Sequence, residues 1–165
     1  MHASAAGIVS PPTKRQNTRR GFSLIELLIV IAIILIIAGI ASGPLSRARR
    51  NANEMAAIRT VVTLHTSQAQ YFSQYGKYAA NLIELGPPAS GLASAAAADL
   101  IPADLAAGSK GGYRYTLAPG ANGYEIHANP ETFGTTGERT FYSDQSQVIR
   151  QNRTPEPATV QSLPI

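Results

Sequence analysis

The chain has 165 residues, no cysteine and a formal charge of +4 with a pI near 9.6. Without cysteine there are no disulfides, thiolate metal sites or cysteine nucleophiles, so a folded head must rest on its core alone. The basic excess does not imply nucleic acid: Lys14, Arg15, Arg19 and Arg20 all lie in the first 21 residues, which hold no acid, and beyond them ten bases face ten acids.

Residues 1–21 therefore read as a basic leader. Pro11, Pro12 and many small polar residues give it no apolar periodicity, and disorder is expected. Its charge would hold it on the cytoplasmic side of a membrane by the positive-inside preference. Arg47, Arg49 and Arg50 beyond the next segment oppose that preference.

From Phe22 to Ala41 the chain is apolar. About 20 residues at roughly 1.5 Å each span about 30 Å, the thickness of bilayer hydrocarbon. A secretory signal has a shorter apolar region and is cut after it. Here the small residue, Gly21, precedes the run, so a cut at Gly21–Phe22 would remove the leader and leave the helix in place. Glu26 is the anomaly. A carboxylate inside a membrane helix costs on the order of 2.5–3.5 kcal/mol at the bilayer centre, less near the interface, and calls for a partner. The amine freed at Phe22, one helical turn away on the same or a neighbouring chain, is the natural one. Snorkelling to the headgroups is the simpler alternative.

Gly39, Gly43 and Pro44 close the run. Gly39 and Gly43 form a small-x-x-x-small pair that lets helices approach closely in lipid. Pro44 removes a helical hydrogen bond and predicts a kink.

Helical periodicity resumes over residues 45–75. Met55, Ile58, Val62, Ala69 and Phe72 form one stripe, with His65 filling its gap, and Val61, Leu64, Tyr71 and Tyr75 form a second beside it. His65 reads as a histidine at the edge of the core ahead of a ligand or a pH switch. Residues 76–112 read as a connecting loop region, exposed where Pro, Ala, Ser and Gly dominate from Pro87 to Ala98. The period then changes to two. Tyr113–Leu117 and Tyr124–Ala128 flank a turn at Pro119–Gly123, longer than the minimal hairpin loop, and Thr140–Ser143 and Gln147–Arg150 flank a turn at Asp144. Four short antiparallel strands over 113–152 laid on an amphipathic helix make a small α+β head. Residues 153–165, with three prolines, read as a disordered tail.

Catalytic patterns are missing. Glu125 and His127 share a strand face opposite Ile126 and face solvent, far in sequence from His65. There is no phosphate-binding glycine motif and no HExxH. Asp144 reads as a turn aspartate capping its own backbone. Neither an enzyme, a cofactor nor a metal is expected.

The string GFSLIELLIVIAII resembles the N-terminus of type IV pilins and type II secretion pseudopilins. YFSQYGKYAANLIELG, from Tyr71 to Gly86, resembles the tyrosine-rich segment that follows the long helix in many pseudopilins. The strands in GYRYTL…GYEIHANP…GERTFYSDQSQVIR resemble the C-terminal sheet of some pilin-like proteins. The resemblance implies a long N-terminal helix whose first half, 22–44, spans the membrane, packed through 45–75 on the sheet. It implies prepilin peptidase cleavage after Gly21, N-methylation of Phe22, and Glu26 as the assembly acid. The region from Gly39 through Gly43 to Pro44 would loosen on assembly. The implied partners are other subunits of the same kind, the peptidase, membrane lipid, and an inner-membrane platform with a separate ATPase. The implied location is the bacterial inner membrane with the head periplasmic or extracellular, then a surface or periplasm-spanning filament. Pilus and secretion pseudopilus both remain open. A non-assembling single-pass protein with a small binding head is the alternative outside this class.

Overall fold

A computed structural model describes residues 21–121 and 123–165, apart from the side chains of residues 40–43. Residues 1–20, on which the leader reading falls, and Asn122 lie outside the described residues. The chain divides into two units between Ile40 and Ala41. Helix α1, Leu24–Tyr75, contributes to both, with Pro44 inside it.

In the first unit the helix stands without a core. The large apolar side chains from Phe22 to Ile37 are all exposed, at fractions from 45% at Val30 to 81% at Phe22. The helix is long and apolar enough to cross a membrane, and its most apolar stretch buries nothing within the chain.

In the second unit α1 ends where Gly76 takes a left-handed φ of 70° and its N–H bonds the carbonyl of Phe72 at 2.8 Å. That is the glycine helix stop. The face turned to the core is Ala57, Val61, Leu64, Gln68 and Tyr71, all fully buried. The stripe through Met55, Val62, Ala69 and Phe72 is exposed, with Ile58 half-buried. His65 is its buried member. Two adjacent apolar stripes define a broad face, and periodicity alone does not say which half the sheet covers.

The sheet has six strands rather than four: β1 (Ser109–Lys110), β2 (Tyr113–Gly120), β3 (Gly123–Pro130), β4 (Thr140–Asp144), β5 (Arg150–Asn152) and β6 (Leu163–Pro164). They form an antiparallel meander in chain order. The two edge strands are two residues long, too short to carry an alternation. Tyr113, Tyr115 and Leu117 of β2 and Tyr124, Ile126 and Ala128 of β3 alternate inward, as their period requires. The β2–β3 hairpin is tighter than expected, pairing out to Gly120 opposite Gly123. The second hairpin shifts outward. Asp144 Oδ1 accepts the Ser146 N–H at 2.9 Å, Gln147 takes a φ of 63°, and the partner strand starts only at Arg150. Asp144 is thus the turn cap its position suggested.

Residues 76–112 are more structured than a loop. They hold α2 (Leu82–Leu85), α3 (Ala103–Ala106) and β1, and place Ala79, Leu82, Leu85, Ala98, Ile101 and Leu105 in the core. Gln68 accounts for part of this order: its Nε2 donates to the Ala79 carbonyl at 3.0 Å, and its Oε1 accepts the Ala79 N–H at 2.9 Å. Tyr71 Oη donates to the Ala95 carbonyl at 2.6 Å, closing the loop back onto α1.

The tail corrects the expectation of disorder most clearly. Ala158 is fully buried, β6 pairs with β5, and Thr140 Oγ1 donates to the Glu156 carbonyl at 2.9 Å. Prolines limit what the segment can donate to a ladder, but its carbonyls remain acceptors, and both Thr140 and Arg150 use them.

Candidate processing and assembly site

The site is built from Gly21, Phe22, Ser23 and the first turn of α1. Gly21, Phe22 and Ser23 precede the helix, and the Ser23 carbonyl accepts the Leu27 N–H at 3.2 Å, starting the ladder. Nothing lies within 4 Å of a Cβ built on Gly21, and Phe22 is 81% exposed. Both residues are exposed among the described residues.

Glu26 falls in the first helical turn. Its carboxylate lies beside the free N–H groups and positive dipole end of the helix, a favourable place for an anion, typically worth 0.3–1 kcal/mol at an exposed site. It makes no ion pair among the described residues. Phe22 and Glu26 are thereby brought within one turn at the head of an unburied apolar helix. Gly39 also lies in α1, with no atom within 4 Å of a built Cβ. The surroundings of Gly43 lie outside the described residues. Pro44 has no N–H to offer the Ile40 carbonyl, so the helical ladder lacks one bond there.

The polar groups of the head are separate from this end. His65 is buried between α1 and the sheet, its Nδ1 2.8 Å from Tyr124 Oη and its Nε2 2.8 Å from Ser143 Oγ. Ser143 Oγ donates to the Val148 carbonyl at 3.0 Å, so it accepts from Nε2–H, and Nδ1 accepts from Tyr124. Burial pushes the His65 pKa down, and Asp144 opposes this in part. Burial likewise raises the Tyr124 pKa to about 12, with Tyr78 and Asp144 adding to the rise. Glu125 and His127 share the outer face, partly exposed, with His127 Nε2 3.9 Å from Glu125 Oε2. Among the described residues no group of three or more His, Asp or Glu side chains is placed to hold a metal. The pairs between Glu54 and Arg139 and between Arg50 and Glu138, at 2.7 and 3.0 Å, join residues about 85 positions apart and have no signal in the sequence.

The prokaryotic N-terminal methylation motif, as a family, matches residues 16–42. The type IV major pilin protein PilA of Myxococcus xanthus (strain DK1622) is 38% identical over 73 residues, 44% of this chain and 33% of that protein. The chain thus aligns with about a third of the relative's length. No solved structure matches significantly. The chain is thus similar to a type IV major pilin over 73 residues, and it carries the methylation motif over the start of its long helix.

Proposed function

We infer that the chain is a structural subunit of a type IV pilus, inserted in the inner membrane with its leader in the cytoplasm. It is cut after Gly21, methylated at Phe22, and then drawn into a helical filament by an assembly platform and a separate ATPase. Assembly with copies of itself follows from the apolar helix: its side chains are covered by lipid first and by neighbouring helices afterwards. The observation that carries the reading is Gly21–Phe22 with Glu26 one turn on, heading a helix whose apolar first stretch is exposed throughout the described residues. The similarity to a major pilin favours a pilus over a secretion pseudopilus.

In the assembled state Glu26 neutralises the N-terminal ammonium of a neighbour. An ion pair shielded from water is stable only with both charges in place, since removing one strands the other at a cost of several kcal/mol. Glu26 therefore acts as a register check. The Gly39–Pro44 region, already one hydrogen bond short, is where the helix loosens as subunits pack.

Mass spectrometry of the mature N-terminus tests the processing. A chain beginning at N-methyl-Phe22 is expected. An intact leader on membrane-inserted protein would instead support the non-assembling single-pass alternative.

A further inference from the structure

Three arginines follow the apolar run within four positions, Arg47, Arg49 and Arg50, and the fold adds Arg139 and Arg153 to the same face of the head. Three adjoining depressions link them. One of 470 Å³ is lined by Asn51, Glu54, Glu138, Arg139 and Arg153 among others. The second takes in Arg47, Arg50, Asn51 and Glu138, and the third Arg49, Arg50 and Gly134. The two acids on this face are already committed. Glu54 Oε2 lies 2.7 Å from Arg139 Nε, and Glu138 Oε1 lies 3.0 Å from Arg50. Arg47, Arg49 and Arg153 are exposed and make no ion pair among the described residues. The face therefore carries three uncompensated cations on a concave polar surface.

The sequence fixes where such a face can reach. Arg47 is six residues past Ala41 within α1, about 9 Å at roughly 1.5 Å rise per residue, and the headgroup layer adds about 5–7 Å to the hydrocarbon on each side. Arginine stems lie along apolar surface while the guanidinium stays in the polar layer, and its planar fork matches a phosphate bidentately. Positive charge on this side of a span works against the orientation preference, and an anionic lipid surface would offset it.

We propose that Arg47 and Arg49, which follow the apolar run by only a few residues, are a seat for anionic phospholipid headgroups while the subunit waits in the membrane. It rests on the reading that residues 22–41 span the bilayer. Each arginine near an anionic surface contributes about a fivefold gain in affinity at low ionic strength, screened as salt rises.

The full-length chain in neutral detergent, titrated with phosphatidylglycerol or phosphatidylcholine and read by native mass spectrometry, tests it. Wild type should retain phosphatidylglycerol preferentially. Arg47→Gln/Arg49→Gln should lose that preference by about 25-fold, while a leader variant, Lys14→Gln/Arg15→Gln, keeps it. Equal retention of both lipids by wild type would overturn the proposal, as would loss in the leader variant alone or undiminished retention in the arginine variant. Displacement by inorganic phosphate at the lipid's concentration would assign the face to free anions instead. Carbonate extraction of the same chain from membranes separates the two readings: a chain that washes off fails as a membrane protein, whereas one that stays but shows no lipid preference fails only here.

Discussion

Glu54 on α1 and Arg139 just before β4 meet at 2.7 Å with only 6% of the Glu54 side chain exposed, and the second Glu54 oxygen accepts the Glu138 N–H at 2.7 Å. One carboxylate thus ties the helix to both the backbone and a side chain of the segment entering the sheet. Arg139 uses a further nitrogen on Gln151 Oε1 at 3.0 Å, which extends the tie to β5. Removing one member of a buried pair strands the other, at a cost of about 3–5 kcal/mol. With Arg139 partly exposed, Glu54→Ala is expected to cost about 3 kcal/mol, and Glu54→Gln about half of that because the Glu138 bond survives. Thermal unfolding followed by the near-ultraviolet signal of the buried tyrosines measures both, and equal stability of all three proteins would refute the tie.

His65 gives the head a pH dependence whose sign is set by its burial. Its pKa is lowered in the folded state, so between that value and the unfolded one of about 6.5 the unfolded chain binds more protons. Stability from this group is complete above pH 6.5 and falls as pH drops toward the folded value. The charged form also needs Nδ1 as a donor, which reverses the Tyr124 hydroxyl, and Asp144 at the end of β4 is the nearby anion that eases the change. Tyr78, whose ring lies against Tyr124 with centroids 5.0 Å apart, faces the same group. Denaturant midpoints between pH 7.5 and 5 should fall for wild type. His65→Leu should lower stability at pH 7.5 by about 1–3 kcal/mol, mainly through the stranded Tyr124 hydroxyl, and its midpoint should vary less with pH. A wild-type midpoint that is flat across that range would contradict the assignment.

Gly137 marks a close approach that the sequence does not announce. A Cβ there would stand 2.1 Å from Tyr113 Oη and 2.7 Å from Cζ. The ring cannot retreat freely, because Tyr113 is fully buried and its hydroxyl donates to the Arg139 carbonyl at 2.8 Å. Gly137→Ala should therefore destabilise by about 1–3 kcal/mol through overpacking. Tyr113→Leu in the same chain should recover part of the loss, since it removes the atoms that clash. Purely additive effects in that double-mutant cycle would show that the two residues do not collide.

What the sequence made legible follows its periodicities. The long helix, the period-two strands β2 and β3, and the turn role of Asp144 each rest on a local repeat or a local hydrogen bond. What escaped it rests on partners distant in the chain. Gln68 is fully buried because Ala79 offers it both backbone groups, and no helical pattern places a glutamine in a core. β6 forms because β5 leaves an edge to pair and because Thr140 and Arg150 take tail carbonyls, so its proline-rich sequence reads as a coil. The proposed site at Gly21, Phe22 and Glu26 is the opposite case: its residues lie within six positions, so the proposal rests on the motif, and the structure adds only the exposure of Phe22 and the helix start.

Anchoring and assembly make different demands on Glu26. Glu26 sits in the first turn of α1 with no ion-pair partner among the described residues, and the residues around it are exposed leucines and isoleucines. Glu26→Leu makes the span more apolar and removes an insertion cost of up to about 3 kcal/mol, so membrane insertion should be unimpaired. Cleavage after Gly21 should also persist, because the Gly21–Phe22 bond precedes the helix and does not depend on the carboxylate. Filaments should fail, because the ammonium of each Phe22 would enter the apolar bundle with no counter-charge, a penalty of several kcal/mol repeated at every subunit. Electron microscopy of sheared surface filaments, alongside the mass of the membrane-bound chain, reads the two outcomes separately. Normal filament yield from Glu26→Leu would remove the register check, and an uncut chain would place Glu26 in peptidase recognition instead.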